Sequence, residues 1–215
     1  MEARLNTTPL TLTSVRRIRG RAVLTLSDGT QLSMPRAMLR ERPYRGGTPF
    51  DMASFTAFLR ERALPFAMEK AVGLLAMRAR TEKELRDALS QNAYPAETIE
   101  RVIARMGEAG YIDDADFAGH WAASRSAKGM GSRRIAMELR RKGVSSDTIE
   151  STIEALDEDD VLDGALRYAR KAARGKDLSL LADRQKVSAA LARRGFDFSI
   201  ARQAIAQLIA EENEE

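Results

Sequence analysis

Side chains able to do chemistry are scarce in this sequence. The 215-residue chain has no cysteine and a single histidine, His120. That excludes a thiol nucleophile, a disulfide framework and a thiolate metal site. A Ser-His-Asp arrangement would rest wholly on His120, whose setting is that of a helix-surface or partly buried residue. Carboxylates cluster at Asp113, Asp114 and Asp116 and again at residues 157–160. Neither cluster has the ligand spacing of a calcium loop. Both precede helical patterns, where acids cap free N–H groups and complement the helix dipole. Gly129-Met130-Gly131-Ser132-Arg133-Arg134 offers a Gly-x-Gly ahead of a helix. No Lys-Ser/Thr follows and no strand precedes it, so a flexible turn is expected in place of a phosphate cradle. The chain reads as non-enzymatic, with no catalytic residue, metal site or cofactor expected.

Basic residues are the more informative chemistry. Residues 1–65 hold 11 Arg, no Lys and 5 acids, a net charge of +6. Beyond them charge alternates in blocks: residues 125–142 carry seven basic side chains and one acid, residues 147–163 eight acids and no base, residues 167–194 nine basic side chains and two acids. Such blocks suit a surface that meets a charged partner. Arg133 and Arg140 are seven apart, as are Arg134 and Arg141, so each pair shares a helix face; Lys142 extends the patch. Arg193 and Arg194 occupy the positions equivalent to Arg141 and Lys142 one repeat later. Basic residues in a last helical turn are stabilised by the dipole, by about 0.3–1 kcal/mol each. Arg133 and Arg134 stand at a helix start, where the dipole disfavours cations, so an external acidic partner or phosphate is expected there.

These residues must be positioned by elements whose patterns are mostly helical. Residues 23–26 and 31–34 flank Ser27-Asp28-Gly29-Thr30, a strong hairpin signal, and residues 10–18 can pair alongside. Pro35 opens a short helical stretch over residues 36–41. Asp51 is a plausible N-cap for a helix to about Arg62, with Pro65 ending that segment. From Ala67 onward every strong pattern is helical.

An internal repeat organises that part. Leu85, Leu89, Tyr94, Ile99, Ile103 and Met106 are spaced 4, 5, 5, 4, 3, as are Ile135, Leu139, Val144, Ile149, Ile153 and Leu156, and Val187, Leu191, Phe196, Ala201, Ile205 and Leu208. Steps of 4 and 3 keep residues on one helix face, and steps of 5 carry the chain across a corner. Gly143 and Gly195 stand just before the middle residue, as a helix stop requires; Ala93 takes that place in the first repeat. Each unit has a preceding helix, over residues 67–79, 114–127 and 158–173. Thr81-Glu82-Lys83-Glu84 fits a capping box. Phe117 and Trp121 lie one turn apart, which places Trp121 in the core in preference to a recognition surface. Periodicity of about 50 residues with three helices each reads as stacked helical modules.

Several of these motifs resemble those of the RecX family: Arg80-Thr81-Glu82-Lys83-Glu84-Leu85, residues 111–118 with Arg125, Gly129-x-Gly131-x-Arg133-Arg134-Ile135-x-x-Glu138-Leu139-x-x-Lys142-Gly143-Val144, and Leu191-Ala192-Arg193-Arg194-Gly195-Phe196. The resemblance covers about residues 67–210 and departs from the family pattern at Gln91-Asn92-Ala93, where a basic residue and glycine are usual. It implies a mainly α protein of three tandem three-helix modules in an elongated curved stack. It also implies binding to the RecA–DNA filament, inhibition of RecA ATPase, strand exchange and co-protease functions, and a role in recombinational repair and the SOS response. The expected domains are residues 1–65 (an Arg-rich β-hairpin with short helices), 66–112, 113–157 and 158–210 (three-helix modules) and 211–215 (an acidic tail). Expected partner-binding residues, toward RecA or DNA, are Arg125, Arg133, Arg134, Arg140, Arg141, Lys142, Arg193 and Arg194. The alternative function is that of a sequence-nonspecific DNA-binding protein of helical repeats, contacting single- or double-stranded DNA. No apolar run reaches the ~20 residues needed to cross a bilayer, and no signal peptide is read in residues 1–12. A monomer in the cytoplasm, without membrane attachment, is therefore expected.

Overall fold

The Asp28-Gly29 turn is realised as a tight hairpin. Gly29 has φ +86°, and the Asp28 carboxylate accepts a hydrogen bond from the Thr30 N–H at 2.9 Å. The computed structural model describes residues 9–214; residues 1–8 and the last residue of the expected acidic tail lie outside it. Strands β1 (Leu12–Ile18), β2 (Arg21–Leu26) and β3 (Gln31–Pro35) form an antiparallel sheet in the order β1-β2-β3. A 3₁₀ turn follows at Arg36–Arg40. Nine α-helices follow among the described residues: α1 (Met52–Leu75), α2 (Glu82–Gln91), α3 (Ala96–Glu108), α4 (Asp114–Ser126), α5 (Ser132–Arg141), α6 (Ser146–Glu154), α7 (Glu158–Ala173), α8 (Leu181–Arg194) and α9 (Phe198–Glu214). Helix α9 continues into the segment expected as a tail.

One sequence expectation fails here. Pro65 does not end a helix; it lies inside α1, which runs unbroken from its Asp51 cap. An interior proline forfeits one backbone hydrogen bond and costs about 3 kcal/mol. Burial on either side outweighs that cost. Ala63, Phe66, Ala67 and Ala71 are all buried, and full burial of a large apolar side chain alone contributes about 1.5–3 kcal/mol. The first helix of module 1 and the N-terminal helix are thus one element, and a boundary at residue 65 would fall within it.

The chain divides into two compact units, Met1–Ile112 and Asp113–Glu215. In the first, one continuous core joins the sheet to the helices. It includes Leu24, Leu26 and Met34 of the sheet, Phe55 and Phe66 of α1, and Leu85, Leu89, Tyr94 and Ile103 of α2, the following corner and α3. The small sheet, marginal alone, therefore docks on the first module. The second unit has two cores. One is centred on Phe117, Ile135, Leu139, Val144 and Ile149, the other on Leu166, Val187, Leu191, Phe196, Ile205 and Leu208.

The repeat spacing has a backbone cause. At each corner a left-handed residue follows the helix: Ala93 at φ +62°, Gly143 at +87°, Gly195 at +99°. The next N–H reaches back to the carbonyl five residues earlier. Tyr94 N–H bonds to Leu89 O at 3.3 Å, Val144 to Leu139 at 3.2 Å and Phe196 to Leu191 at 3.1 Å. The left-handed residues themselves bond to Ser90, Arg140 and Ala192. This is the Schellman stop, in which an apolar residue just past the cap folds onto the helix it ends. The first step of 5 is the span of that motif, and Tyr94, Val144 and Phe196 are buried as it demands. Tyr94 also donates its hydroxyl proton to Phe66 O at 3.0 Å, and burial pushes its pKa up to about 12.

Candidate binding surface

Helix α5 carries most of the expected partner-binding residues, and its apolar face fixes their direction. Ile135 and Leu139 are fully buried, which leaves Arg133, Arg140 and Arg141 exposed. Lys142, its C-cap, is partly buried. Its Nζ lies 4.1 Å from the Trp121 ring centroid and 5.2 Å from that of Phe117. Arg125 covers Trp121 as well, at 4.1 Å. Trp121 stacks on Phe117 with centroids 5.7 Å apart. It is half-buried at the rim of the core, with two cations over its ring, an arrangement that favours both charges.

Glu138 gathers this cluster, and the sequence reading gave it no role. Its carboxylate accepts hydrogen bonds from Arg125 Nε at 2.8 Å and Trp121 Nε1 at 3.2 Å. Arg134 Nε is buried and stands 3.6 Å from the other oxygen, at ion-pairing range but too far for a hydrogen bond. The available signal was that Glu138 is the one acid among the seven basic residues of its block.

The start of α5 differs from expectation. The Gly129–Gly131 turn is held against the end of α8, so it is no loose connector. Gly131 N–H donates to Arg194 O at 3.3 Å and Arg133 N–H to Gly195 O at 3.0 Å. Arg194 reaches back to Gly129 O and Lys128 O, both at 2.9 Å, and its guanidinium lies 5.4 Å from the Tyr168 ring centroid. The positive end of one helix dipole thus meets the negative end of another. Arg133 and Arg134 are placed beside α8's terminal carbonyls, so the dipole no longer requires an external anion there. Asp197 adds a carboxylate nearby. Burial alone would raise its pKa, but bonds from the Ser199 hydroxyl and the Ile200 and Ser199 N–H groups, with the Arg133 charge, hold it below the usual range.

The closeness of this contact depends on two glycines. A Cβ on Gly131 would fall 2.1 Å from the Gly195 carbonyl carbon, and one on Gly195 would fall 2.4 Å from Arg134 Cβ. The second and third modules are joined here, and two basic blocks some 60 residues apart in sequence become neighbours. From the α8 end, the strip follows α5 for about 10 Å to Arg140 and Arg141, at 1.5 Å per residue. Of the eight expected residues, Arg125, Arg134, Lys142 and Arg194 have contacts inside the unit, while Arg133, Arg140, Arg141 and Arg193 are exposed.

The acid clusters serve helix starts. Asp113 caps α4 and Asp157 caps α7, each accepting two backbone N–H bonds. His120 is exposed, 3.4 Å from Asp116. Among the described residues no group of three His, Cys, Asp or Glu side chains could hold a metal ion, and no helix is long and apolar enough to cross a membrane.

Together these features define a protein of tandem three-helix modules with a basic strip across the second and third. Comparisons with known proteins give the family. Family models for the first, second and third three-helix domains of RecX match residues 67–106, 113–153 and 158–205. A regulatory protein RecX of Mycobacterium sp. (strain JLS) is 38% identical over 147 residues, covering 66% of this chain and 80% of that one. One from Thermobifida fusca (strain YX) is 37% identical over 132 residues, covering 60% and 70%. The crystal structure of RecX from Lactobacillus salivarius aligns with a TM-score of 0.64 at 19% identity, covering 68% of this chain and 97% of that one. A second crystal structure, of a regulatory protein RecX, aligns at 0.63 and 20% identity, covering 91% and 98%. The chain belongs to the RecX family of regulatory proteins.

Proposed function

We propose that this protein is a negative regulator of the RecA recombinase. It binds the RecA–DNA filament and restrains its ATPase, strand-exchange and co-protease activities. The observation that carries this reading is the match of all three modules to RecX domains. The basic strip supports it, because exposed Arg133, Arg140, Arg141 and Arg193 suit an acidic partner surface. In this reading Arg125, Arg134, Lys142 and Arg194 hold the strip in shape from within. The activity is one of binding, in the cytoplasm, by a chain that acts as a monomer and needs no cofactor. The test is ATP hydrolysis by RecA on single-stranded DNA, titrated with this protein. Suppression at substoichiometric amounts is expected. Unchanged hydrolysis at an excess of protein would sink the reading.

A further inference from the structure

The Arg-rich N-terminal sheet lies outside the three modules, and its charge is unevenly placed. Arg17 pairs with Ala22 and Ile18 with Arg21 across β1 and β2, and Arg21 pairs with Pro35 of β3. Arg19 and Gly20 form the turn between β1 and β2, and Arg36 N–H donates to Gly20 O at 3.0 Å. Arg17, Arg19, Arg21 and Arg36 therefore surround one end of the sheet, with Arg16 one residue further along the edge strand. All five are exposed, and none has a carboxylate partner among the described residues.

The carboxylates of residues 9–50 are engaged elsewhere. Asp28 bonds Thr30 at the opposite end of the sheet, and Glu41 is paired with Arg62. The first half of the β1 edge is covered, since Leu12 exchanges backbone bonds with Gly47 and Thr48. The arginine-bearing half has no such backbone cover among the described residues; its turn packs at Gly20 against the Asn92 side chain, 1.9 Å from where a Cβ would stand, and the five arginine side chains around that contact are exposed.

We infer that this turn end binds the phosphate backbone of double-helical nucleic acid, independently of base sequence. A protein partner is the weaker fit. Protein interfaces gather aromatic residues and deplete charge at their centre; here no aromatic side chain stands on the sheet and Ile18 is its one large exposed apolar residue. Single strands are bound chiefly by stacking on aromatics, which the sheet does not offer. Unpaired guanidinium groups in a polar setting match phosphates. The inference does not rest on the RecA reading, and an ATPase assay without DNA-affinity measurements does not bear on it.

The experiment is fluorescence anisotropy of a labelled 20-base-pair duplex with the full chain across a salt series. The parent is compared with Arg17→Ala/Arg19→Ala/Arg21→Ala and with Arg140→Ala/Arg141→Ala/Arg193→Ala. Each lost phosphate contact lowers the slope of log affinity against log salt by about 0.9. The sheet variant should therefore lose about 2–3 from the slope, with an unchanged circular dichroism melt. The α5–α8 variant should lose less. The inference is overturned if the sheet variant keeps the parent slope, if the parent does not bind the duplex at low salt, or if it binds a single strand of equal length or poly-L-glutamate more tightly.

Discussion

Replacing Gly131 with alanine tests whether the join between the second and third modules is as close as described. Gly131 has φ −74° and ψ 156°, a conformation alanine adopts freely. At an uncrowded N-cap the change would come out near neutral, because alanine's poorer capping, roughly 1 kcal/mol, is set against about 0.4–1 kcal/mol from loss of unfolded-state freedom. Here the new Cβ would meet the Gly195 carbonyl carbon and the Phe196 nitrogen, both at 2.1 Å. Those are backbone atoms at the end of α8 and cannot rotate away. Forcing a methyl group into packed structure costs about 1–3 kcal/mol. Separating the segments also strains the Gly131–Arg194 and Arg133–Gly195 hydrogen bonds, each worth about 0.5–1.5 kcal/mol. Together a destabilisation of about 2–6 kcal/mol is expected. Urea unfolding followed by circular dichroism gives the free energy, and amide hydrogen exchange should show the Gly131 and Arg133 N–H groups losing protection. A variant within about 1 kcal/mol of the parent, with both amides still protected, would refute the proposed contact, because capping alone accounts for no more than that.

Four other outcomes are expected. Ala93→Gly should stabilise the chain by about 1 kcal/mol in urea unfolding, because Ala93 is left-handed at φ +62° and glycine carries no Cβ penalty there. Leu139→Ala should destabilise by about 2–5 kcal/mol, since Leu139 is fully buried; a negligible change would undercut the repeat register. Arg133→Glu should weaken RecA inhibition with little change in melting temperature. Arg134→Glu should lower the melting temperature, because Arg134 is packed beside Gly195 and Glu138; equal melting temperatures for the two variants would contradict that division. The Asp197 pKa is lowered in the folded state, so its contribution is present above the unfolded value of about 3.9 and is lost as pH falls through the lower folded value. Asp197→Asn should therefore lose less stability than the parent on acidification from about pH 5, measured by thermal melts across that range; parallel curves would remove the role.

The sequence by itself determined the modules. A 4, 5, 5, 4, 3 series can be read without coordinates because helix periodicity and the Schellman stop are both local, set by contacts within a few residues. The same holds for Asp51, Asp113 and Asp157 as caps and for the Asp28-Gly29 turn. Pro65 departs from its local signal for the complementary reason: its local cost is legible, but the burial of Ala63, Phe66 and Ala67 that offsets it comes from distant residues. Tertiary structure alone decided which basic side chains are held within the unit and which are exposed. Arg125 and Arg194 differ little from Arg140 and Arg193 as letters in a sequence. Only packing turned Arg125 toward Glu138 and Trp121, and Arg194 onto the carbonyls of Lys128 and Gly129. The start of α5 shows this most clearly, because its apparent dipole conflict is answered by the end of a helix more than 50 residues away in the chain, and long-range electrostatics of that kind leaves no periodic mark in a sequence.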